Sequence, residues 1–161
     1  MNNLYIIREA LKIDMPKVLK LIQELADFEK EPDAVEVTVD QLERDGFGPS
    51  KAFTCFVAET EGDIVGMALV YFRYSTWKGK TVHLEDLIVR NNLRGSGIGS
   101  ALYTQVIKYA QSQGVKRLEW VVLDWNEDAI KFYERSGANV MRDWYTVQMD
   151  QKGMQDYLNE N

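Results

Sequence analysis

The spacing of apolar residues predicts two helices in the first third of the chain. Asp14 and Pro16 have the chemistry of a helix start, a capping carboxylate followed by a first-turn proline. The apolar positions after them recur at the spacing of one helical face: Val18, Leu19, Ile22, Leu25 and Ala26. Thr38 and Gln41 then have capping-box spacing for a short second helix, which Gly46 is expected to stop.

Runs of apolar and β-branched residues predict strands at residues 5–8, 53–59, 64–72, 81–89, 117–123 and 139–149, the last of them a strand or a hairpin. Glu61-Gly62-Asp63 is a turn that joins the second and third strands as a hairpin. Helical spacing predicts a helix that ends at Gly114 and another that begins at Asn126 and ends at Gly137. A short helix is also predicted in the C-terminal tail. This order predicts a mixed α/β domain with a β-α-β unit in its second half.

Length and composition describe an ordinary chain of one domain. With 161 residues, 45% of them hydrophobic, we expect a single domain over residues 1–161 with its own core. No apolar run is long enough to cross a bilayer, and the N-terminus lacks the architecture of a signal peptide. We therefore expect a soluble, cytoplasmic protein without a membrane partner.

Charge and metal-ligating residues narrow the possible partners. A single cysteine, Cys55, argues against a disulfide and a cysteine-based metal cluster, and a single histidine, His83, argues against a His-rich metal site. The net charge of −6 argues against nucleic acid, because phosphate binding needs clustered lysines and arginines. The acidity serves either solubility or attraction of a cationic substrate, and charge alone does not choose between them.

Three glycines at alternate positions stand directly before a predicted helix, in the stretch Arg94-Gly95-Ser96-Gly97-Ile98-Gly99-Ser100. Glycine lets a ligand approach the backbone closely, and the first N–H groups of a helix form an anion site. The phosphate-loop pattern fails because no lysine follows the glycines, and the dinucleotide pattern fails because Ser100 occupies its third glycine position. The glycines therefore predict an anion site of another kind.

Arg94-x-x-Gly97-x-Gly99 matches the [R/Q]-x-x-G-x-[G/A] signature of the GNAT N-acetyltransferase family, which the chain resembles over nearly its whole length. The resemblance is to the spermidine/spermine (diamine) N-acetyltransferase branch, including its thialysine acetyltransferase-like members. It is carried by LIQELADFEKE at 21–31, DGFG at 45–48, VYFRYSTWKGK at 70–80, HLEDLIV at 83–89, DWNEDAIKFYERSGA at 124–138 and DWYTVQMD at 143–150. It implies the GNAT fold, with a mostly antiparallel sheet, a parallel β-α-β unit that binds acetyl-CoA, helices on both faces, no metal, and a homodimer.

The resemblance implies three contacts with acetyl-CoA (coenzyme A). Backbone groups at the end of the central strand, at Leu87, Ile88 and Val89, pair with the pantetheine arm. The pyrophosphate lies on the glycine loop and helix start: Arg94, Gly95, Ser96, Gly97, Ile98, Gly99 and Ser100. Asn126 and Ala129 contact the cofactor from the next helix. Tyr133, two helical turns after Asn126, matches the catalytic tyrosine that gives a proton to the departing thiolate.

Acetyl transfer to an amine needs a proton acceptor, because an alkylammonium has a pKa of about 10.4 and is charged at pH 7. Glu85, near the end of the central strand, is our candidate acceptor, through water, and Asp86 is the second candidate. Neighbours on a strand point to opposite faces, so both reach the substrate only if the strand bulges, as it does in the family. The resemblance adds four residues that hold the amine together with these two carboxylates: Phe28, Glu29, Trp125 and Trp144.

Two other functions stay open at the level of the sequence, a catalytically silent acetyl-CoA-binding sensor and an acetyltransferase for protein lysines or N-termini. The joint presence of Tyr133 and the carboxylates favours an enzyme for small cationic amines, which a sensor would not need. An acetyl-cysteine mechanism at Cys55 is disfavoured, because no His or Asp close in sequence would activate the thiol. His83 is either a substrate contact or a strand residue without a role.

Overall fold

The computed structural model describes residues 5–160 and divides the chain into two compact units, the first ending at Val121 and the second beginning at Val122. The first unit holds one sheet of five strands: β1 (Ile6–Glu9), β2 (Thr54–Thr60), β3 (Asp63–Ser75), β4 (Gly79–Val89) and β5 (Leu118–Glu119). The strands lie in chain order, and every neighbouring pair is antiparallel except the parallel pair β4–β5. The predicted mixed α/β class and β-α-β unit are confirmed, while the single domain over residues 1–161 stays a prediction.

The helices are α1 (Met15–Phe28), α2 (Val39–Phe47) and α3 (Ile98–Ser112) in the first unit, and α4 (Glu127–Arg135) and α5 (Gln151–Glu160) in the second. Apolar spacing places α1 and α2 on one face of the sheet, where Val18 and Leu21 are buried in a common core with strand residues. On the other face α3 buries Leu102 and Val106 in a second core. Helices on both faces are therefore confirmed. No helix within residues 5–160 has both the length and the apolarity to cross a bilayer.

Local signals at turns and helix starts were informative. The Thr38 side chain accepts from the Gln41 N–H while the Gln41 side chain accepts from the Thr38 N–H, which is the predicted capping box. Glu61 and Gly62 have φ values of 49° and 77°, so the predicted hairpin turn places both central residues in the left-handed region. The two expected stops at Gly114 and Gly137 also have positive φ, at 65° and 97°.

Two helix signals were misinterpreted. The Asp14 carboxylate makes no capping bond to α1. It accepts from the Leu11 N–H at 2.7 Å and from the Arg8 guanidinium at 2.7 and 3.1 Å, because an arginine lies within reach on β1. Gly46 does not stop α2, which continues to Phe47. A Cβ at Gly46 would lie 2.6 Å from the Phe53 ring, so this glycine serves close packing.

Two strand predictions were wrong in extent. Within residues 5–160, the predicted strand over 117–123 is reduced to Leu118 and Glu119, which pair with Val82 and His83, and residues 139–149 form no strand. A strand needs a ladder partner, which an apolar, β-branched sequence does not itself supply. Residues 141–149 are exposed throughout, so burial does not favour an extended segment there either.

The C-terminal end of α1 carries a left-handed residue that is not glycine. Lys30 has φ of 66°, its N–H donates to the Asp27 carbonyl, and the Glu31 N–H donates to the Ala26 carbonyl at 2.9 Å. These two bonds form a Schellman motif, in which the left-handed position is usually glycine. A side chain there is strained by about 1–2 kcal/mol. The strained residue directly follows Glu29, the C-cap of α1, which itself follows Phe28, the last residue of the helix.

We expect Lys30→Gly to raise the free energy of unfolding by about 0.5–1 kcal/mol, because glycine removes the left-handed strain but adds freedom to the unfolded chain. Chemical denaturation measures this gain. Lys20→Gly is the matched control: Lys20 is exposed inside α1, so the same substitution there should lower stability by about 1 kcal/mol. Equal losses in both variants would contradict the assigned strain.

Candidate functional site

β4 contains a β-bulge at Glu85. In the antiparallel ladder with β3, Val70 pairs with Leu84 and Leu69 pairs with Asp86, so Glu85 is the extra residue. A bulge kinks a strand locally and redirects the side chains beside it, and bulges are frequent next to functional sites. The bulge that the family resemblance implies is therefore present in this chain.

The extra residue changes the face of the sheet that each following side chain takes. The side chains that reach the core under α3 change from even to odd numbers across the bulge: Val82 and Leu84, then Leu87 and Val89. Ile88 lies in the core under α1, so alternation places Asp86 on the α1 side as well. Glu85 reaches that same side, where its Oε2 lies 3.6 Å from Nε2 of His83. Both predicted carboxylates therefore share one face.

A third carboxylate acts on this pair from the end of α1. Burial first, and then the negative charges of Glu85 and Glu29, together raise the pKa of Asp86 to about 6. Partial burial also raises the pKa of Glu29, which directly follows Phe28 at the end of α1. The side chain of Glu85 is 50% exposed and connects this acidic cluster to solvent. An ammonium group near the cluster would offset the repulsion among the three carboxylates.

The end of β4 offers an open edge to an extended ligand. β4 pairs with β5 only at Val82 and His83, so within residues 5–160 no strand pairs with the outer edge of β4 at Leu87, Ile88 and Val89. An extended chain that carries amide groups can add to such an edge as an extra strand. The arrangement fits the pantetheine arm that the family resemblance implies at these three residues.

The glycine loop connects the end of β4 to the N-terminus of α3. Gly95 and Gly97 have φ of 78° and 88°, a region that other residues adopt only with strain. Gly97 is the N-cap of α3, and no side chain of the described residues caps this helix end. The first N–H groups of α3 therefore face outward with the positive end of the helix dipole, which suits a pyrophosphate.

Arg94 supports the glycine loop from the α1 side. Its Nε donates to the Val89 carbonyl at 3.2 Å, and its guanidinium lies 4.7 Å from the centre of the Phe28 ring. A cavity of about 560 Å³ lies beside this contact, lined by Glu24, Asp27, Phe28, Arg90, Asn91, Asn92 and Arg94. Phe28, predicted to hold the amine, thus lies against the arginine of the cofactor signature.

The second unit holds the remaining predicted site residues. Asn126 caps α4, and its side-chain oxygen accepts from the Ala129 N–H at 3.4 Å. Tyr133 is half-buried two turns along α4, with its ring centre 5.5 Å from that of Phe132. Trp125 and Trp144 are exposed. The roles of these residues stay predictions. Within residues 5–160 no group of three or more His, Cys, Asp or Glu side chains is arranged to hold a metal ion.

Comparison with known proteins places this geometry in a family. Residues 17–138 match the family described as "Acetyltransferase (GNAT) family". This chain belongs to the acetyltransferase (GNAT) family. The members of the family use acetyl-CoA as co-substrate.

Curated relatives match most of the chain. It is 38% identical to the thialysine N-epsilon-acetyltransferase of Bos taurus, covering 93% of this chain and 95% of that protein. It is 37% identical to the spermidine/spermine N(1)-acetyltransferase-like protein 1 of Homo sapiens, covering 82% of this chain and 20% of that protein. Among solved structures, an integron cassette protein of V. cholerae has a TM-score of 0.77 at 21% identity, over 96% of this chain and 97% of that one, and shows the fold.

Three side chains beside the candidate site, Tyr71, Arg73 and His83, received no firm role from the sequence. Tyr71 on β3 lies opposite His83 on β4, and burial together with the Glu85 carboxylate raises the pKa of Tyr71. Arg73 follows two residues later on β3 and therefore lies on the same face of the sheet. Its NH1 is 3.2 Å from Nδ1 of His83. Strand register brings these residues together, so only a correct alignment of β3 with β4 would have revealed them.

We expect Asp86→Asn to raise the free energy of unfolding by about 1–3 kcal/mol at pH 8 and by less at pH 5. The folded-state pKa of Asp86, about 6, lies above the value of about 3.9 expected when unfolded, so its ionisation destabilises the fold as pH rises through this window. Denaturation at both pH values measures the effect. Asp33→Asn, in an exposed loop, is the control and should change stability little. Identical stabilities of Asp86→Asn and the wild type at pH 8 would contradict the raised pKa.

Proposed function

We propose that this chain is an acetyl-CoA-dependent N-acetyltransferase that acetylates the primary amine of a small cationic substrate, a polyamine, a diamine or a thialysine-like amine. The observation that carries this proposal is the cluster of Glu29, Glu85 and Asp86 beside the open edge of β4. Relatives named for thialysine, for spermidine/spermine and for L-ornithine support the substrate class. Each of these amines carries a flexible aliphatic ammonium, which three carboxylates can attract.

Several features of the first unit suit acetyl-CoA. The open edge at Leu87, Ile88 and Val89 would hold the pantetheine arm, and the amides around Gly97 at the start of α3 would hold the pyrophosphate. When bound, acetyl-CoA supplies a thioester carbonyl for attack by the amine. In this proposal Arg94 orients the loop, because its guanidinium lies between the Val89 carbonyl and the Phe28 ring.

Glu85 is the proposed acceptor of the amine proton. Deprotonating an alkylammonium with a pKa of about 10.4 costs about 4.6 kcal/mol at pH 7. A nearby carboxylate that accepts the proton through water reduces this contribution to the activation free energy. Glu85 is exposed enough to reach water, whereas Asp86 is more buried and has a raised pKa. We therefore assign the proton to Glu85 through water and assign Asp86, with Glu29, to the attraction of the ammonium.

The remaining steps use the backbone and α4. As the nitrogen–carbon bond forms, negative charge grows on the carbonyl oxygen, and the Leu87 N–H is the proposed donor to it. As the carbon–sulfur bond breaks, Tyr133 is the proposed donor of a proton to the sulfur. Asn126 and Ala129 complete the proposed cofactor contacts, and Trp125 and Trp144 complete the proposed walls around the aliphatic part of the amine.

We expect purified protein to release free coenzyme A from acetyl-CoA with one or a few small amines among spermidine, spermine, putrescine, thialysine and lysine. Repeating the reaction with a lysine peptide separates this function from a protein acetyltransferase. Glu29→Gln should raise the KM for the amine, and more for a diamine than for a monoamine, because the variant loses one carboxylate of the cluster. Acetyl-CoA binding without turnover of any amine or peptide would contradict the proposal and favour a sensor.

We expect Tyr133→Phe to lose at least about 10²-fold in kcat while acetyl-CoA binding and stability persist, because only the proton donor is removed. Steady-state kinetics and calorimetric binding of acetyl-CoA measure the two effects. Tyr157→Phe, an exposed tyrosine on α5, is the matched control and should keep full activity. Full activity in Tyr133→Phe would remove the tyrosine from the mechanism.

We further propose a metal-free enzyme that works as a cytoplasmic homodimer, without nucleic-acid or membrane partners. The support is the family resemblance in the sequence together with the net charge of −6. Sedimentation equilibrium of the purified protein tests the dimer, and activity in the presence of EDTA tests the independence from metal.

A further inference from the structure

His83 occupies the centre of the sheet behind the acidic cluster. It pairs with Tyr71 on β3 and with Glu119 on β5, so it lies in one of the two register rows that span all three strands. Only 6% of the residue is exposed, and its ring centre lies 5.1 Å from that of Tyr71. A buried imidazole in this position has to satisfy both of its nitrogens within the sheet or at the site.

Arg73 determines which nitrogen of His83 carries the hydrogen. NH1 of Arg73 lies 3.2 Å from Nδ1 of His83, and an arginine can only donate. Nδ1 is therefore the acceptor without a hydrogen, and the single imidazole hydrogen lies on Nε2. Burial and the neighbouring Arg73 charge lower the pKa of His83 against the opposing effects of Glu85 and Glu119, so the ring is neutral at pH 7.

Arg73 is itself held in place by Glu119. Its NH1 lies 2.8 Å from Oε1 of Glu119, a close charge pair without hydrogen-bond geometry, and the other carboxylate oxygen lies 2.8 Å from Nε of Arg117. Glu119 is the β5 residue directly opposite His83. The parallel strand thus fixes the arginine, and the arginine fixes the tautomer of the histidine.

Nε2 is the ring nitrogen of His83 that lies near the Glu85 carboxylate. Nε2 lies 3.6 Å from Oε2 of Glu85, longer than a hydrogen bond but within a small rotation of the half-exposed glutamate side chain. The hydroxyl of Tyr71 also interacts with the Glu85 carboxylate. His83 and Tyr71 thus lie opposite each other on one face of the sheet, and both lie beside the Glu85 carboxylate.

We propose that His83 is a positioning residue for Glu85, whose carboxylate it orients by donating from Nε2–H. This inference rests on the proposed function, in which Glu85 accepts the amine proton. This tautomer excludes His83 as the proton acceptor, because Nε2 already carries a hydrogen and Nδ1 accepts from Arg73. His83 acts as a donor behind the base and does not accept the amine proton itself.

The first test uses the fact that the chain has one histidine, so an NMR spectrum of ¹⁵N-histidine-labelled protein reports on His83 alone. We expect the Nε2–H tautomer at pH 7. Arg73→Met, at an exposed side chain, should release this preference, and Glu85→Gln should move the His83 titration to lower pH, because a neighbouring negative charge is lost. An Nδ1–H tautomer, or a titration that Glu85→Gln leaves unchanged, overturns the inference.

The second test is the steady-state kinetics of two His83 variants with the best amine of the substrate panel. His83→Phe removes the donor, so kcat should fall about tenfold with an unchanged KM for acetyl-CoA. His83→Gln keeps a neutral N–H donor and should keep kcat close to the wild-type value. Equal losses of kcat in both variants would indicate a merely structural histidine and would overturn the inference.

The two tests separate this inference from the function on which it rests. An active wild-type enzyme whose kcat is unchanged in His83→Phe overturns the role of His83 and leaves the proposed function standing. No turnover by the wild type with any amine overturns the proposed function, and with it the catalytic role of His83. The NMR titration would then still decide whether His83 and Glu85 interact.

Discussion

The extra residue at Glu85 is the constraint on which the candidate site depends. In a regular strand, alternation would send Glu85 and Asp86 to opposite faces, and one carboxylate would point into the apolar core under α3. The bulge shifts the phase of β4, so the side chains of Leu87 and Val89 still fill that core while both carboxylates lie under α1. The same strand end parts from β5 and leaves the edge along which an extended ligand can pair.

Strain and charge repulsion are concentrated around this bulge, and the two cores of the sheet offset them. Burial raises the pKa of Asp86, and Lys30 adopts a left-handed conformation at the turn that carries Glu29. Each feature lowers stability by an amount of order 1–3 kcal/mol, which a sheet covered by helices on both faces can absorb. These unfavourable features lie on β4 and at the end of α1, where the residues that we propose to contact the amine also lie.

The sequence predicted what depends on near neighbours and missed what depends on register. The capping box of Thr38, the hairpin turn at Gly62 and the stop at Gly137 are local, and all three were confirmed. The tautomer of His83 depends on Arg73 and Glu119 from two other strands, and no periodicity reveals such a pairing. The strand expected over residues 139–149 failed for a related reason, since an extended segment needs a partner that its own sequence does not specify.

The contrast among carboxylates separates structure from function better than net charge does. Asp63 contacts Lys17 and Arg90, which lower its pKa to about 2, and Arg8 helps to lower the pKa of the buried Asp14. These carboxylates pair with cations supplied by the fold. Asp86 has the opposite surroundings: burial and two further carboxylates act on it, and all of them raise its pKa. Among the described residues, none of those that shift the pKa of Asp86 is a cation, and in the proposed function the ammonium of the substrate supplies the compensating positive charge. That proposal assigns substrate attraction to this local cluster and does not depend on the overall charge of −6.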